Sequence, residues 1–357
     1  MTITANAQAA LRRDFIERGF YRKATRRILL ELGVNVTLAI AGAMVVFESH
    51  VLWIRICGLL LSTLGSIGVG TNTHTSSHYA TSNKRWVNEL LTYFGYSFFL
   101  GMSTTFWWHK HIVVHHPAPN VVGMDDDMDL APWFARTRDE VERAKGLLRF
   151  YYEHVQWLVL PVALAANDFS IQKSGWVFLI GRLWRRETRK KAHWIDLVCL
   201  LMHYALNLVI PMFFFSAESV ILFYVMRVVL LGYAMFAVLA PGHMPVEAAC
   251  LTSGDKNTDA MLLQTATTVN FRTGPIGRLV CSGLEYQIEH HLFPNVSHVY
   301  YPAMSVLVRA FCLENGLPYR SYGWHHVLWK CLCSFRTPPR IEHRLESLRI
   351  QPKSSRL

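Results

Sequence analysis

The stretch LEYQIEHHLFP, from Leu284 to Pro294, contains two adjacent histidines, His290 and His291, with Gln287 three residues before them. It lies in a chain of 357 residues of which 52% are apolar or aromatic. Imidazole is the commonest metal-binding side chain in proteins. Adjacent histidines in so apolar a chain therefore indicate a specific use for imidazole close to a membrane.

Four apolar segments are each about 20 residues long, which is the length that a helix needs to cross the hydrocarbon core of a bilayer. Short linkers join the first segment to the second and the third to the fourth, so the segments form two hairpins. The predicted spans are Ile28–Phe47, Val51–Gly70, Asp196–Phe215 and Val220–Pro241.

The charge distribution predicts the orientation of these spans. The formal net charge is +11, and lysines and arginines cluster before the first and third spans, whereas the two hairpin linkers contain none. The positive-inside rule then places both termini and all long loops in the cytoplasm. Because the basic residues lie beside apolar segments, anionic membrane lipid is the expected partner and nucleic acid is not.

Eight of the 17 histidines lie in three clusters. A spacing of four residues puts His74 and His78 on one helical face, provided that the second span continues into the cytoplasm as a helix. The same spacing predicts that His111 and His115 point at one ion, with His116 turned about 100° further round the helix. The clusters are HTSSH (His74, His78), HKHIVVHH (His109, His111, His115, His116) and QIEHH (Gln287, His290, His291).

Adjacent histidines can serve two metal ions that lie side by side, so eight or more imidazoles without an obvious ligating carboxylate cluster predict a dinuclear site. Imidazole suits iron, zinc and copper alike, and the ligand type does not name the metal. His109 is expected to support a ligand histidine from behind. The histidines expected to be structural are His50, His154, His193, His203, His325, His326 and His343.

Three clusters can build one centre only on one side of the membrane, so an even number of crossings must separate any two of them. We therefore predict that the apolar stretches Glu89–Trp108 and His154–Ala166 are interfacial or re-entrant. Arg227, in the middle of the fourth span, should face a protein partner or a polar cavity. The small-residue run LSTLGSIGVG in the second span predicts close helix packing.

These patterns together predict an all-α integral membrane protein with four transmembrane helices in two hairpins. A cytoplasmic cap would carry the histidine-rich dinuclear metal site. Residues 1–336 are expected to form a single domain, and residues 337–357 a polar tail. The acidic run MDDDMDL is expected to be a solvated loop, with cation binding or the orientation of a ligand histidine as the alternatives.

The motifs HTSSH, HKHIVVHH and QIEHHLFP, ordered around two hairpins, resemble the histidine boxes of membrane-bound fatty acid desaturases. The resemblance covers roughly Leu29 to Ala310. Gln287 stands where many members have the first histidine of the third box. In this respect the chain resembles the front-end branch of the family. The resemblance implies a di-iron enzyme that uses O2 to insert a cis double bond into a long acyl chain, although zinc could replace iron in purified material.

The resemblance also implies the roles of individual residues. Trp107 and Trp108 would contact the acyl substrate. His243, just after the fourth span, would face the metal, and Asn270 would lie close to one iron through water. The implied metal-site residues are His74, His78, His111, His115, His116, His243, Asn270, Gln287, His290 and His291.

Front-end desaturases commonly carry a fused cytochrome b5 domain, and the 27 residues before the first span are too few for one. We therefore expect an external electron donor, either ferredoxin or cytochrome b5. The basic cytoplasmic surface would suit such an acidic donor or an acidic acyl carrier protein. The acyl chain could be carried as a lipid, coenzyme A or carrier-protein ester.

Three other functions share some of these sequence features. A fatty acyl hydroxylase or acetylenase would use the same scaffold, and the sequence does not separate it from a desaturase. A non-catalytic metal-binding membrane protein such as a transporter should place its ligands at the middle of the spans, whereas these histidines lie outside them. A zinc-dependent membrane hydrolase is disfavoured because the chain lacks the HExxH pattern.

Overall fold

The structure, a computed structural model, describes residues 5–252 and 259–350. Helices dominate it, and several of them are continued by short π-helical or 3₁₀ turns. The α-helices are α1 Ala5–Glu17, α2 Thr25–Glu48, α3 Leu52–Ser77, α4 Arg85–Tyr93, α5 Thr104–Trp107, α6 Arg138–Arg143, α7 Gly146–Phe150, α8 Gln156–Ala163, α9 Asn167–Trp184, α10 Lys191–Tyr204, α11 Ala217–His243, α12 Ala260–Ala266, α13 Pro275–Cys281, α14 Gln287–Leu292, α15 Tyr301–Glu314 and α16 Trp324–Arg336.

Short π-helical and 3₁₀ segments and two small parallel strand pairs complete the described fold. The π-helical segments are Phe94–Leu100, Trp108–His115, Tyr151–Val155 and Ala205–Val209. The 3₁₀ turns are Asp126–Met128, Leu164–Ala166, Pro211–Phe213, His298–Tyr300 and Leu345–Leu348. The strands are β1 Cys250–Leu251 paired with β4 Ile341–Glu342, and β2 Asn270–Arg272 paired with β3 Ser321–Gly323.

Four helical stretches of the described chain are long and apolar enough to cross a membrane, namely Thr25–Glu48, Leu52–Ser77, Lys191–Phe213 and Ala217–His243. They coincide with the four predicted segments, so the prediction of four membrane helices in two hairpins is confirmed. The main difference is the second span, which was predicted to end at Gly70 and continues as a helix to Ser77. This extension carries the first histidine cluster away from the apolar part of the helix.

The first hairpin packs through one narrow face of each helix. The buried residues of α2 include Ile28, Leu32, Asn35 and Ala39, which follow a helical period and face α3. The opposite face exposes large apolar side chains such as Leu30, which is 62% exposed. An apolar outer surface of this kind is stable in lipid rather than in water.

Glycines bring the two helices of this hairpin close together. A Cβ atom at Gly65 would collide with the backbone of Asn35 and Ala39, and one at Gly42 would collide with the backbone of Ser62. The small-residue run in the second span therefore serves helix packing, as predicted. Arg227 also matches its prediction, because it is buried in α11 against the aromatic ring of Tyr224.

The stretch Glu89–Trp108 does not form one continuous helix. A π-helical segment, Phe94–Leu100, follows α4 and ends at Gly101, whose φ of +75° is left-handed and suits glycine. The chain then restarts at Ser103, whose side chain caps the N-terminus of α5 by accepting the N–H of Phe106. This break agrees with an interfacial or re-entrant segment rather than a single crossing.

The second stretch that was predicted to be interfacial, His154–Ala166, continues into a helix that the sequence did not predict. Gln156–Ala163 forms α8, a 3₁₀ turn follows it, and the chain continues directly into the 18-residue helix α9. The polar residues Asp168, Gln172 and Lys173 interrupt the apolar pattern of α9 and hid it. This helix packs against α11 and supplies part of the wall of the site described below.

The remaining helices form a cap over one end of the spans. Its core includes Phe15 of α1, which contacts the ring of Phe293 after α14, together with Met304 of α15 and Leu317. The segment after Arg336, predicted to be a polar tail, is part of this body as far as residue 350. Its strand β4 pairs with β1, and Leu345 is buried. Residues 351–357 of that predicted tail lie outside the described residues.

Candidate metal centre

The first cluster lies at the C-terminal extension of α3, beyond the apolar part of the helix. His74 is in its last turn and His78 is the C-cap residue, as the predicted continuation of the span requires. Threonine hydroxyls hold this polar extension in helical form and attach it to the cap. Thr73 Oγ1 donates to the carbonyl of Val69 at 2.9 Å, and Thr71 Oγ1 donates to the carbonyl of Val280 in α13 at 2.5 Å.

The second cluster lies on a π-helix, Trp108–His115, and not on an α-helix. The N–H of His116 donates to the carbonyl of His111 at 3.0 Å, five residues earlier. A five-residue spacing therefore puts His111 and His116 on the same side, while His115 turns to a different group of ligands. The prediction that His111 and His115 point at one ion was wrong, because it assumed an α-helical period of 3.6 residues.

The third cluster lies on α14, a short helix whose N-terminus is held by another part of the chain. The side-chain oxygen of Asn270 accepts the N–H of Ile288 at 2.8 Å. The amide nitrogen of Asn270 donates to Glu289 at 2.7 Å and to the hydroxyl of Tyr319 at 3.0 Å. Asn270 thus uses its polar atoms to position the helix that carries the histidines. Its predicted place close to one iron through water stays a prediction.

His243 is the last residue of α11 and reaches the same centre from the fourth span. Gly242 precedes it and leaves room for Gln287, since a Cβ atom at position 242 would collide with the Gln287 side chain. His243 and Gln287 line the same cavity. The chain thereby brings Gln287 beside the group to which His243 belongs.

The structure brings eight histidines into two adjacent groups. Within each group the ring nitrogens that could bind an ion all lie within 4.8 Å of one another. The five-histidine group contains His74, His78, His111, His116 and His290, and the three-histidine group contains His115, His243 and His291.

Short distances between ring nitrogens connect the members of each group. In the five-histidine group, Nε2 of His111 lies 2.7 Å from Nε2 of His74 and 3.1 Å from Nε2 of His116. In the three-histidine group, Nε2 of His291 lies 3.2 Å from Nε2 of His243. His290 and His291 are neighbours in sequence but belong to different groups, so the adjacent pair can serve two ions, as the sequence predicted.

Burial keeps most of these imidazoles uncharged. It lowers the pKa of His78 to about 3. Burial, together with the mutual repulsion of nearby imidazoles, also holds the pKa of His111, His116, His290 and His291 well below the usual range of histidine. A neutral imidazole has a free lone pair, which is the form that binds a metal ion.

His115 differs because a carboxylate supports it. Its Nδ1–H donates to Asp125 at 2.9 Å. Burial alone would lower the pKa of His115, but the hydrogen bond and charge of Asp125 raise it overall. Asp125 is 2% exposed, so the prediction of a solvated acidic loop was wrong at this position. A carboxylate on Nδ1 fixes the ring and leaves Nε2 free for an ion.

One further partner of the grouped histidines, Gln264, and one further buried histidine, His298, were missed by the sequence analysis. The side-chain oxygen of Gln264 accepts Nδ1–H of His291 at 2.9 Å, and its amide nitrogen donates to the carbonyl of His116 at 2.9 Å. His298 contacts Thr75 at 2.7 Å. Gln264 lies in α12, far from any cluster in sequence, and no local pattern distinguishes it from other glutamines.

The other histidines lie outside both groups. His109, expected to support a ligand histidine, stacks instead on the ring of Phe178, with ring centres 5.3 Å apart. His193 and His203 are buried, and His203 bonds to the hydroxyl of Tyr224 at 3.0 Å. The remaining ones that were expected to be structural are exposed, namely His50, His154, His325, His326 and His343.

Two ring nitrogens without hydrogen-bond partners in the described part of the chain show that these residues fit a metal. Nε2 of His78 and Nδ1 of His243 are buried and have no hydrogen-bond partner among the described residues. A buried polar atom without a partner is costly, whereas a lone pair that binds an ion has its partner. One such atom occurs in each group, so both groups fit a bound ion.

A cavity of about 170 Å³ adjoins the two groups and is largely apolar away from them. Trp107 lines it and stacks on His111, with ring centres 4.5 Å apart. Trp108 does not line it and packs against Tyr93, so the two tryptophans predicted to contact substrate differ in position. The lining residues are Phe106, Trp107, Lys110, His111, His115, Asn120, Asp127, Arg136, Asn167, Ile171, Met235, Phe236, Leu239, Ala240, His243, Met244, Leu284 and Gln287.

Comparison with known proteins bears on the same part of the chain. The family model for fatty acid desaturases matches residues 49–323. The Delta(5) fatty acid desaturase fat-4 of Caenorhabditis elegans is 29% identical over 281 residues, which cover 78% of this chain and 62% of the nematode protein.

Two further relatives extend the match. The Delta(8)-fatty-acid desaturase of Euglena gracilis is 26% identical over 328 residues, covering 87% of this chain and 73% of the relative. The sn-1 linoleoyl-lipid 6-desaturase of Arthrospira platensis is 27% identical over 317 residues, covering 82% and 79%. The family match spans the second helix of the first hairpin, the whole second hairpin and all three histidine clusters, and this chain belongs to the fatty acid desaturase family.

Proposed function

We propose that this chain is a di-iron desaturase that uses O2 to insert a double bond into a long acyl chain. The observation that carries the proposal is the pair of buried histidine groups beside an apolar cavity, in a member of the desaturase family. Three relatives whose names include Delta(5), Delta(8) and lipid 6-desaturase support the front-end type.

The two groups would hold one iron each. Gln287 lies beside the three-histidine group and would complete its ligands, while the five-histidine group has enough imidazoles of its own. Bound iron supplies the one thing that side chains cannot, the oxidative removal of hydrogen from an unactivated methylene. Zinc accepts the same ligands, so protein purified without added iron is expected to contain some zinc.

The residues of this chain position the reactants. Asp125 holds the proton on Nδ1 of His115, and Gln264 holds the proton on Nδ1 of His291, so each ring presents Nε2. The apolar side chains of Ile171, Met235 and Leu239 line the cavity and would hold the acyl chain away from water.

We also propose a lipid-bound substrate and a separate electron donor. The Arthrospira relative is named for a linoleoyl lipid, which supports an acyl chain carried as a lipid ester. Electrons would come from a separate ferredoxin or cytochrome b5 that docks on the cytoplasmic face. The basic residues before the first and third spans support this orientation, with both termini and the metal site in the cytoplasm.

Lipid profiling by mass spectrometry tests the proposal. Cells that express the wild-type chain with a matched electron donor should contain an acyl product that is lighter by two hydrogens. His290→Ala should lack this product, and His154→Ala should retain it, because His154 is exposed and outside both groups. A product heavier by one oxygen would instead show a hydroxylase. A product that persists in His290→Ala would contradict the assignment of the metal site.

A further inference from the structure

Arg136 is a buried cation in the wall of the substrate cavity. It is 2% exposed and lines the same cavity as His111, His115 and His243. Its Nε and Nη1 atoms are buried and have no hydrogen-bond partner among the described residues. Burying a guanidinium without a counter-charge costs roughly several kcal/mol. A ligand that supplies the counter-charge would remove this cost.

No carboxylate of the described residues forms an ion pair with the guanidinium of Arg136. The carboxylate of Glu140 is engaged elsewhere, because it accepts the backbone N–H groups of Arg136 and Thr137, each at 2.8 Å. Burial raises the pKa of the Cys250 thiol to about 11 and that of the Cys331 thiol to about 12, so both stay uncharged near neutral pH.

The other charges at the cavity are already paired. Lys110 and Asp127 both line it, and they form an ion pair at 2.6 Å. Their charges cancel within the wall. Among the described residues that line the cavity, Arg136 is therefore the one whose charge is not paired.

The backbone around Arg136 is fixed on both sides. The N–H of Ala135 donates to the side-chain oxygen of Gln156 at 2.8 Å, and the amide nitrogen of Gln156 donates to the carbonyl of Phe335 at 2.8 Å. The guanidinium lies over the Phe335 ring, with Cζ 5.3 Å from its centre. A cation held this rigidly is suited to recognising one ligand group.

The lining of this cavity matches the chemistry of an acyl chain attached to an anionic carrier. Apolar side chains such as Ile171 and Leu239 line one part of it, and the histidines line another. Relatives named Delta(5) and lipid 6-desaturase act near the carboxyl end of the chain. Only a few carbons then separate the reacting carbon from the carrier, so the carrier must bind in or beside the cavity that holds the histidines.

We propose that Arg136 binds a phosphate group on the carrier of the acyl substrate and thereby sets which carbon faces the histidines. A guanidinium suits this role because its planar fork of donors matches phosphate oxygens. Phospholipids and coenzyme A or pantetheine thioesters share this phosphate chemistry. The second half of the inference rests on the proposed desaturase function, whereas phosphate binding does not require turnover.

Binding to the full-length protein in lipid nanodiscs tests the first half. Without an electron donor there is no turnover, so the probes remain intact. The probes are oleoyl lysophosphatidic acid, oleoyl coenzyme A, oleate and monooleoylglycerol, which has the same acyl chain without a charge. We expect the wild type to bind at least one phosphate probe about tenfold or more tightly than monooleoylglycerol.

Arg136→Gln should reduce this preference to near one. Arg138→Gln is the matched control, because it removes the same charge two residues away from a side chain that is paired with Glu142. Unfolding temperatures show whether the variants fold, and Arg136→Gln should be at least as stable as the wild type because it removes an uncompensated charge. Arg136→Lys retains the charge without the fork and should retain part of the preference.

The outcomes separate the alternatives. A preference for lysophosphatidic acid alone identifies a phospholipid carrier, and a preference for oleoyl coenzyme A alone identifies a thioester carrier. A preference that persists in Arg136→Gln, or a wild type that binds all probes equally, would overturn the proposal. Binding of oleate alone that depends on Arg136 would also overturn it, because the ligand would then be a carboxylate.

Product analysis tests the second half. The wild type should introduce the double bond at one position, and Arg136→Gln should give a mixture of positions or a several-fold lower kcat/KM. A single unshifted position in Arg136→Gln would contradict the positioning role. Phosphate binding without any desaturation would contradict the proposed function and leave the phosphate site supported. Desaturation without a preference for phosphate probes would support the proposed function and contradict the phosphate site.

Discussion

The five-histidine group and the three-histidine group lie side by side but are built differently. The first consists of imidazoles from three segments whose pKa values are lowered by burial and mutual repulsion, among them His78 and His290. The second contains fewer imidazoles and depends on polar partners, with Asp125 behind His115, Gln264 behind His291 and Gln287 at its side.

This difference shows how two adjacent sites built from histidine can differ in the number of ligands and in the polar groups that support them. Five neutral imidazoles supply enough lone pairs by themselves. Three do not, and the chain adds a carboxylate and two amides around them. The second group also contributes two of its three histidines, His115 and His243, to the cavity wall, whereas the first contributes only His111. The less saturated group is therefore the one more open to substrate.

Removal of one ligand from each group should have the largest and most unequal effect. His243→Ala leaves two imidazoles in its group, and His78→Ala leaves four in the other. We expect both variants to lose detectable product. Elemental analysis should find that His243→Ala falls to about one iron per chain, while His78→Ala stays closer to two, because more ligands remain. Equal iron loss in both variants would show that the groups do not bind ions separately.

Asp125→Asn should have the next largest effect. It removes the charge that orients His115 and supports its proton on Nδ1. Loss of such a partner typically lowers metal affinity or activity by about 10- to 100-fold. Iron titration and turnover measure both quantities. Asp126→Asn is the control, since Asp126 is exposed in the same loop. Equal losses in the two variants would mean that only the net charge of the loop matters.

Gln264→Leu should cause a smaller loss, of about tenfold. Its hydrogen bond to His291 is between neutral groups, which contributes less than a bond to a carboxylate. The variant also removes the donor to the carbonyl of His116. Iron affinity, measured by competition with a chelator, distinguishes it from Asp125→Asn. If Gln264→Leu proved as damaging as Asp125→Asn, the charge of Asp125 would not be what distinguishes His115.

The two tryptophans should show the smallest effect and the clearest contrast. Trp107→Phe keeps an aromatic ring beside His111 but weakens their stacking, which is worth about two- to tenfold in kcat/KM if the acyl chain contacts it. Trp108→Phe should leave kcat/KM unchanged, because Trp108 lies outside the cavity. Turnover of acyl chains of different length measures both. Equal effects would show that the cavity is not the acyl site.

Hydropathy and spacing predicted the parts of this protein that depend on local pattern. The four spans follow from the length and composition of each segment, because crossing hydrocarbon makes a demand that every residue of a helix shares. The extension of the second span to His74 and His78 was also foreseeable from their spacing. In contrast, α9 was missed because Asp168 and Lys173 interrupt its apolar pattern.

The sequence by itself determined that histidines from distant clusters meet, since polar imidazoles beside a membrane require a common use. Only the tertiary structure decided which ones share a group. The π-helix pairs His111 with His116 because its hydrogen bonds span five residues rather than four, and the choice between these spacings depends on packing. Gln264 and Asn270 gained their roles in the same way. A glutamine or an asparagine is not marked by its neighbours in sequence, and it acts through whatever the fold places beside it.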